Sequence, residues 1–188
     1  MKYIDRVLQR WRIGKARPFI AKGARVLDIG SSDGALFQEL GTQLGGAMGI
    51  DPTLRQNRTL GDIPLIAGSF PKDMPPVPAF DAITLLAVLE HFAAGDYQSL
   101  RSGCARFLKP GGYLIITVPS PKVDLILKVL LAIGLIDGMS LDEHHGFDAR
   151  ETTTVFPPPE FQLVKQQCFQ LGLNNLFVFR RAAERDAV

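Results

Sequence analysis

The stretch Ala24-Arg25-Val26-Leu27-Asp28-Ile29-Gly30-Ser31-Ser32-Asp33-Gly34 decides how the rest of this chain is read. Val26, Leu27 and Ile29 form a short apolar run of the kind that makes a buried strand, and Gly30 to Gly34 break it sharply. Helix-compatible residues come at once in Ala35-Leu36-Phe37-Gln38-Glu39-Leu40. Strand, glycine-bearing turn and helix together aim free backbone N–H groups and the positive helix end at a ligand. Glycine serves where φ is positive or where a ligand must approach the backbone without meeting a Cβ. An ordinary tight strand-to-helix turn reads the same way, so its purpose has to come from the surrounding chain.

Downstream, Gly45-Gly46 stops the helix, and Ala47-Met48-Gly49-Ile50 gives a second strand ending in Asp51-Pro52. Ile63–Ala67 is a third, near an edge because of Pro64. Phe80–Leu86 is a fourth, behind a loop carrying Pro71, Pro75, Pro76 and Pro78. A helix over 95–107 runs into Leu108-Lys109-Pro110-Gly111-Gly112, and Tyr113–Val118 is a fifth strand. Strands alternating with helices predict a mostly parallel sheet covered on both faces. Phe161–Phe169 and Leu176–Arg180, joined through Gly172-Leu173-Asn174-Asn175, predict a terminal antiparallel hairpin. Upstream, residues 2–13 set Ile4, Val7, Leu8 and Trp11 at helical spacing, with Arg6 and Arg10 on another face. The expectation is an amphipathic helix laid over the domain by that apolar stripe.

The length of 188 residues suits one α/β domain, and 46% hydrophobic with 21% charged residues is ordinary for a folded chain. A net charge of +2 does not argue for nucleic acid, and no aromatic–basic stacking platform is visible. The charge is uneven, however. Residues 1–27 carry eight basic side chains against Asp5 alone, a balance of +7, and the remainder is −5. This basic arm, centred on 1–22, suits a solvated helix face or contact with phosphates or an anionic membrane surface. Cys104 and Cys168 lie far apart in periodic segments, which predicts buried free thiols in a reducing compartment. The charged start shows no secretory signal, and the most apolar window, Val123–Ile136, is shorter than a membrane span. A cytoplasmic location is expected.

A doubly wound sheet binds its ligand at the carboxyl ends of the strands, beside the first strand-to-helix turn. The dinucleotide fingerprint G-x-G-x-x-G fails here, because Ser32 and Ala35 occupy the second and third glycine positions counted from Gly30. No G-K-[ST] comes after it, which excludes a P-loop. The remaining features are the turn with Gly30 and Gly34, and an acid, Asp51, ending the second strand. A carboxylate there accepts hydrogen bonds from ribose hydroxyls. The residues favour a ribose-bearing ligand with no pyrophosphate to cradle.

V-L-D-I-G-S-S-D-G-A-L, G-I-D-P, F-D-A-I-T-L-L-A-V-L-E-H-F and L-K-P-G-G-Y-L-I-I-T-V-P resemble, in order and spacing, successive motifs of class I S-adenosylmethionine-dependent methyltransferases. The resemblance is close over Arg25–Val118 and looser in the hairpin, and it implies a Rossmann-like seven-stranded sheet with one reversed strand. It implies methyl transfer, with S-adenosylmethionine as cofactor. Asp28 and Gly30, Ser31, Ser32 and Gly34 would lie against its methionine part, and Asp51 would hold its ribose. Pro52, Ser69 and Phe70 would flank the adenine, and Leu86 and Ala87 would line the floor near the sulfonium. The family usually has a middle glycine where Ser32 stands and often an acid where Ser69 stands; a serine at position 32 fits if its φ is negative.

In-line methyl transfer draws most of its acceleration from positioning and exclusion of water, and needs a base only if the acceptor must lose a proton. The candidates are Glu90, His91, His144 and His145. By resemblance, the Glu90-His91 pair lies at the active-site rim, and in some relatives it joins a further carboxylate to hold a divalent metal. Here the residue three before Glu90 is Ala87, so that set is incomplete and no metal is expected. His144, His145 and Asp148 crowd one loop, where a base is a better reading than a metal site. The segment 121–160 reads as an acceptor-side helix and lid loop, its helix Val123–Ile136 roofing the pocket or meeting a lipid-linked acceptor. A small-molecule, sugar or lipid-linked acceptor, with peripheral membrane contact as an option, is expected and nucleic acid is not. The competing reading is a non-catalytic cofactor-binding or scaffold protein.

Overall fold

The computed structural model describes residues 3–120 and 148–183, residues 3–5 by their backbone alone. Helix α1 (Tyr3–Ala16) leads into β1 (Arg25–Ile29), α2 (Ala35–Leu40), β2 (Gly46–Asp51), β3 (Arg58–Leu60) and β4 (Ile63–Ala67). Then come β5 (Phe80–Leu86), α3 (Tyr97–Phe107), β6 (Leu108–Pro119), the one-turn α4 (Thr152–Val155), β7 (Phe161–Phe169) and β8 (Asn174–Arg181). The sheet order is β3-β4-β2-β1-β5-β6-β8-β7. β1 sits at the centre, paired in parallel with β2 and β5, and four of its five residues are buried. That explains the continuous apolar run of the opening stretch: a strand covered on both faces has no polar side to alternate with.

Two clusters fill the two faces. On one, Ile13 and Ala16 of α1 and Leu36, Phe37 and Leu40 of α2 cover Val26, Ala82, Ile115 and Val178. On the other, Leu100, Cys104 and Phe107 of α3 pack with Leu27, Ile83, Leu85 and an aromatic group, Phe156, Phe161, Phe177 and Phe179. At the amino ends of the central strands, Asp81 accepts from the Arg25 amide at 2.8 Å and pairs with Lys109 at 2.6 Å. These contacts pull the Asp81 carboxyl below its ordinary range.

Four expectations are corrected. Among the described residues the sheet has eight strands and two of them, β3 and β8, are reversed, where seven and one were expected. The extra strand is β3, which turns back onto β4 through Gly61-Asp62; Gly61 has φ +58. The stripe on α1 is displaced as well. Val7 and Trp11 face solvent, and the helix meets the sheet through Ile13 and Ala16. Cys104 is buried, but Cys168 is exposed, because the outer face of edge strand β7 is open. The residues of 121–147, including the Val123–Ile136 helix and His144 and His145, lie outside the described residues.

Candidate active site

Three strands, β1, β2 and β5, end side by side at the carboxyl margin of the sheet, and the turns leaving them build the site. After β1 the chain turns through Gly30 (φ +76), Ser31, Ser32 (φ +45), Asp33 and Gly34 (φ +79) into α2. Gly30 is required twice over. Its φ is left-handed, and a Cβ there would come within 2.3 Å of Val88 Cγ2. Asp33 Oδ1 accepts from the Ala35 amide at 3.2 Å at the start of the helix.

Ser32 lies in the left-handed region, so the condition of a negative φ is not met. The structure shows how a serine holds that conformation. Its amide donates to Asp51 Oδ2 at 2.7 Å, and its carbonyl oxygen accepts from Arg58 Nη2 at 3.1 Å. Ser31 is turned inward, with Oγ over the backbone of Gly49, where a Cβ would lie 2.4 Å from it. Its side chain is therefore not presented to the cleft.

Asp51 is buried at the end of β2. Besides the Ser32 contact, its Oδ1 accepts from the Thr53 amide at 2.7 Å and the Thr53 hydroxyl at 2.5 Å. Pro52 and Thr53 are exposed. A depression of about 400 Å³ opens beside them, lined by Ser32, Asp33, Thr53, Leu54, Arg55 and Arg58 among others. Asp28 is fully enclosed next to the turn, with Thr84 Oγ1 donating to its Oδ1 at 2.6 Å. Burial, opposed by that hydrogen bond and helped by the nearby Asp51, raises the Asp28 carboxyl to about 7.

After β4, Ser69 is exposed and its amide donates to Asp73 Oδ2 at 2.8 Å, so an acid does stand beside this position. Phe70 is turned into the core against Phe107, with ring centroids 5.9 Å apart, so Ser69 alone of that pair meets solvent. After β5, Leu86 and Ala87 are half-buried. Ala87 has φ +60, and its amide donates to the Thr117 carbonyl oxygen at 2.8 Å.

Glu90 and His91 come next in a single turn of 3₁₀ helix, Leu89–His91. His91 is exposed, whereas Glu90 is buried and its Oε2 has no hydrogen-bond partner. Burial raises its carboxyl to about 7, and the charge of Arg12 on α1 opposes the rise. Asp148, the third member of the discarded metal set, is occupied by Arg150, with Nη2 at 2.6 Å from Oδ2. Among the described residues no group of three His, Cys, Asp or Glu side chains could hold a metal.

The arrangement is a left-handed backbone turn and the buried Asp51 locked to each other, with buried Asp28 beside them and a third buried carboxyl, Glu90, after β5. A family profile described as a methyltransferase domain matches residues 2–161.

The chain belongs to this methyltransferase family.

Solved structures of similar fold include the N-methyltransferase NodS from Bradyrhizobium japonicum WM9 in complex with S-adenosyl-L-homocysteine. It is 18% identical with a TM-score of 0.65, over 93% of this chain and 87% of that one. Magnesium protoporphyrin IX methyltransferase from Synechocystis PCC 6803, also with bound S-adenosyl-L-homocysteine, is 14% identical with a TM-score of 0.67, over 97% and 89%. The YcgJ protein of Bacillus subtilis is 16% identical with a TM-score of 0.64, over 94% and 100%. No curated protein matches the sequence. The methyltransferase's fold is thus the Rossmann-like α/β sheet with a terminal antiparallel hairpin. Thr53, Arg58 and Val88, which the structure sets against Asp51, Ser32 and Gly30, are absent from the sequence reading. The signal for Arg58 was present in Gly61-Asp62, a two-residue hairpin turn that makes Arg58–Leu60 a strand.

Proposed function

We propose that this methyltransferase transfers the methyl group of S-adenosylmethionine to a small-molecule acceptor, a lipid-linked one included. One observation carries the reading: the turn after β1 and the acid ending β2 are bonded directly to each other, Ser32 amide to Asp51 Oδ2, at 2.7 Å. A cofactor bridging these two elements meets one preformed unit. The residues fit the group. Asp51 Oδ1 is filled by the Thr53 amide and hydroxyl, whereas Oδ2 accepts from Ser32 alone and keeps acceptor capacity for a ribose hydroxyl, and Pro52 and Ser69 stand at the surface on the adenine side. Gly30 and Gly34 shape the turn for the methionine part, and Leu86 and Ala87 form the floor. The small-molecule acceptor is supported by the fold neighbour that acts on magnesium protoporphyrin IX and by the lack of an aromatic–basic stacking platform in the sequence.

When bound, the cofactor supplies a methyl group on a sulfonium, open to in-line displacement. The chain's own work is to orient the acceptor and exclude water around it. Glu90 is the residue we assign to proton handling. Its carboxyl titrates near neutrality, the range in which a general base is effective. The exposed His91 beside it would orient the acceptor, and His144 and His145 are the further candidates of the acceptor loop.

Calorimetric titration with S-adenosylmethionine and with NADH tests the donor assignment: binding of the first alone is expected, and binding of neither returns the scaffold reading. Release of S-adenosylhomocysteine with a panel of lipid, sugar and aromatic acceptors then tests the acceptor class. Turnover confined to macromolecules would overturn it.

A further inference from the structure

Two of the side chains that helical periodicity would bury on α1 stand in water. Val7 is 43% and Trp11 45% exposed, one turn apart on the face away from the sheet. Arg6 and Arg10 are exposed beside them, Arg10 paired with Glu39 at 2.6 Å. A second element brings a third apolar side chain to the same region. In the β7–β8 turn, Gln170, Leu171 and Gly172 all have left-handed backbone, with φ of 52, 58 and 83. Leu171 is 97% exposed. A leucine in that conformation costs backbone energy that glycine would not, and it buries nothing in return. The turn is tied to α1, because buried Gln170 donates through Nε2 to the Leu8 carbonyl oxygen at 3.1 Å. Asn174, just past the turn, pairs with Pro119 at the carboxyl end of β6. The turn therefore sits at the sheet margin where the glycine turn, Asp51 and Ala87 also lie.

We propose that the outer face of α1, with the adjoining β7–β8 turn, docks on an anionic membrane surface. Val7, Trp11 and Leu171 enter the headgroup region, and the exposed Arg6 and Arg10 beside them face the acidic lipid. Helix α1 carries Arg6, Arg10, Arg12 and Lys15 against Asp5, and this +3 is complementary to such a surface. A tryptophan and aliphatic residues on one side of a basic helix, lying in the interface plane, is the physical pattern of peripheral binding. Binding is weak and reversible, since only three apolar side chains enter. The consequence for the acceptor, that it is carried by or delivered at a bilayer, rests on the methyl-transfer reading; the docking itself does not.

Trp11 is the chain's only tryptophan, so its fluorescence reports this surface directly. The full chain is titrated with vesicles of phosphatidylcholine, with or without phosphatidylglycerol, at low and high salt. A blue shift and quenching by brominated acyl chains are expected with the anionic vesicles only, fading as salt screens the charge. Arg6→Glu and Leu171→Asp should each lower the partition coefficient about five-fold or more, with S-adenosylmethionine affinity unchanged by calorimetry. No shift on anionic vesicles, an equal shift on neutral ones, or full binding by Leu171→Asp overturns the proposal. So does a concentration-dependent shift without lipid, which would put a second copy on this face. Cofactor titration of the same samples tells failed docking apart from failed methyl-donor binding.

Discussion

Arg58 Nη2 donates to the carbonyl oxygen of Ser32 at 3.1 Å, across the depression beside Asp51. A left-handed serine costs about 1–2 kcal/mol relative to glycine, and this contact, with Asp51 on the amide side, offsets that cost. Arg58→Ala should therefore weaken S-adenosylmethionine binding about five-fold, the equivalent of one hydrogen bond of about 1 kcal/mol. Ser32→Gly introduced into Arg58→Ala should restore the affinity, because glycine needs no clamp. Calorimetry on the four members of this cycle checks it, and equal losses with and without Ser32→Gly would refute the clamp.

Asp51→Ala should weaken cofactor binding by about 1.5–3 kcal/mol, the range for hydrogen bonds to a charged group. Asp51→Asn, which still accepts through one oxygen, should lose less. Since Asp51 also holds Ser32 and Thr53, thermal unfolding without ligand should separate a distorted turn from a lost ribose contact.

Glu90 gives the fold a pH dependence of definite sign. Its folded carboxyl titrates at about 7 against an ordinary 4.5. Between those values the folded state holds the proton that the unfolded chain has released, so stability falls as pH rises through that window. Glu90→Gln should flatten the slope and gain up to about 3 kcal/mol above pH 7. Asp28 acts in the same direction, from 3.8 to about 7, and should account for the slope left in the variant. Urea unfolding at several pH values measures both. The same variant should lower turnover without weakening cofactor binding if Glu90 handles the proton.

Leu171→Gly should stabilise the fold by about 1 kcal/mol, because the left-handed backbone no longer opposes a Cβ and the side chain buries nothing. A raised midpoint in thermal unfolding is the expected readout. A loss of stability would show that Leu171 makes contacts its exposure does not reveal.

The periodic parts of the chain were legible because each depends on local spacing. The apolar run Val26–Ile29 and the aromatic strand around Phe177 each point to one element, and the sheet places them where expected, whereas the α-helix expected to run to Gly45-Gly46 ends at Leu40 because Gly41, with φ +53, caps it. The misreadings have a common physical origin in tertiary geometry. Helical spacing shows that Val7 and Trp11 share a face, but which face meets the sheet is settled by Ile13 and Ala16 further along. Phe70 comes after the right strand, yet its ring direction is set by Phe107 on a helix that arrives much later. The turn residues show that glycine suits positions 30 and 34, whereas Ser32 adopts left-handed backbone through partners 19 and 26 residues away. Arg58 escaped notice because a three-residue strand leaves almost no periodic signal, and Thr53 because it lies in a turn with no period at all.

The two outer strands have a consequence for how copies of this molecule behave together. An open sheet offers unpaired backbone at both ends, and such ends recruit further strands. On one side the end is β3, too short at three residues to template a neighbour and headed by Arg58. On the other it is β7, whose register with β8 shifts between Leu163 and Lys165, with Lys165 reaching over the Phe19 ring at 5.6 Å. A bulge and a lysine interrupt the straight run that edge-to-edge stacking needs. Both margins of the sheet thus oppose edge-to-edge pairing, and a substitution that straightened β7, which already exposes Leu163 and Val164, would be felt first as fibrillation rather than as lost folding.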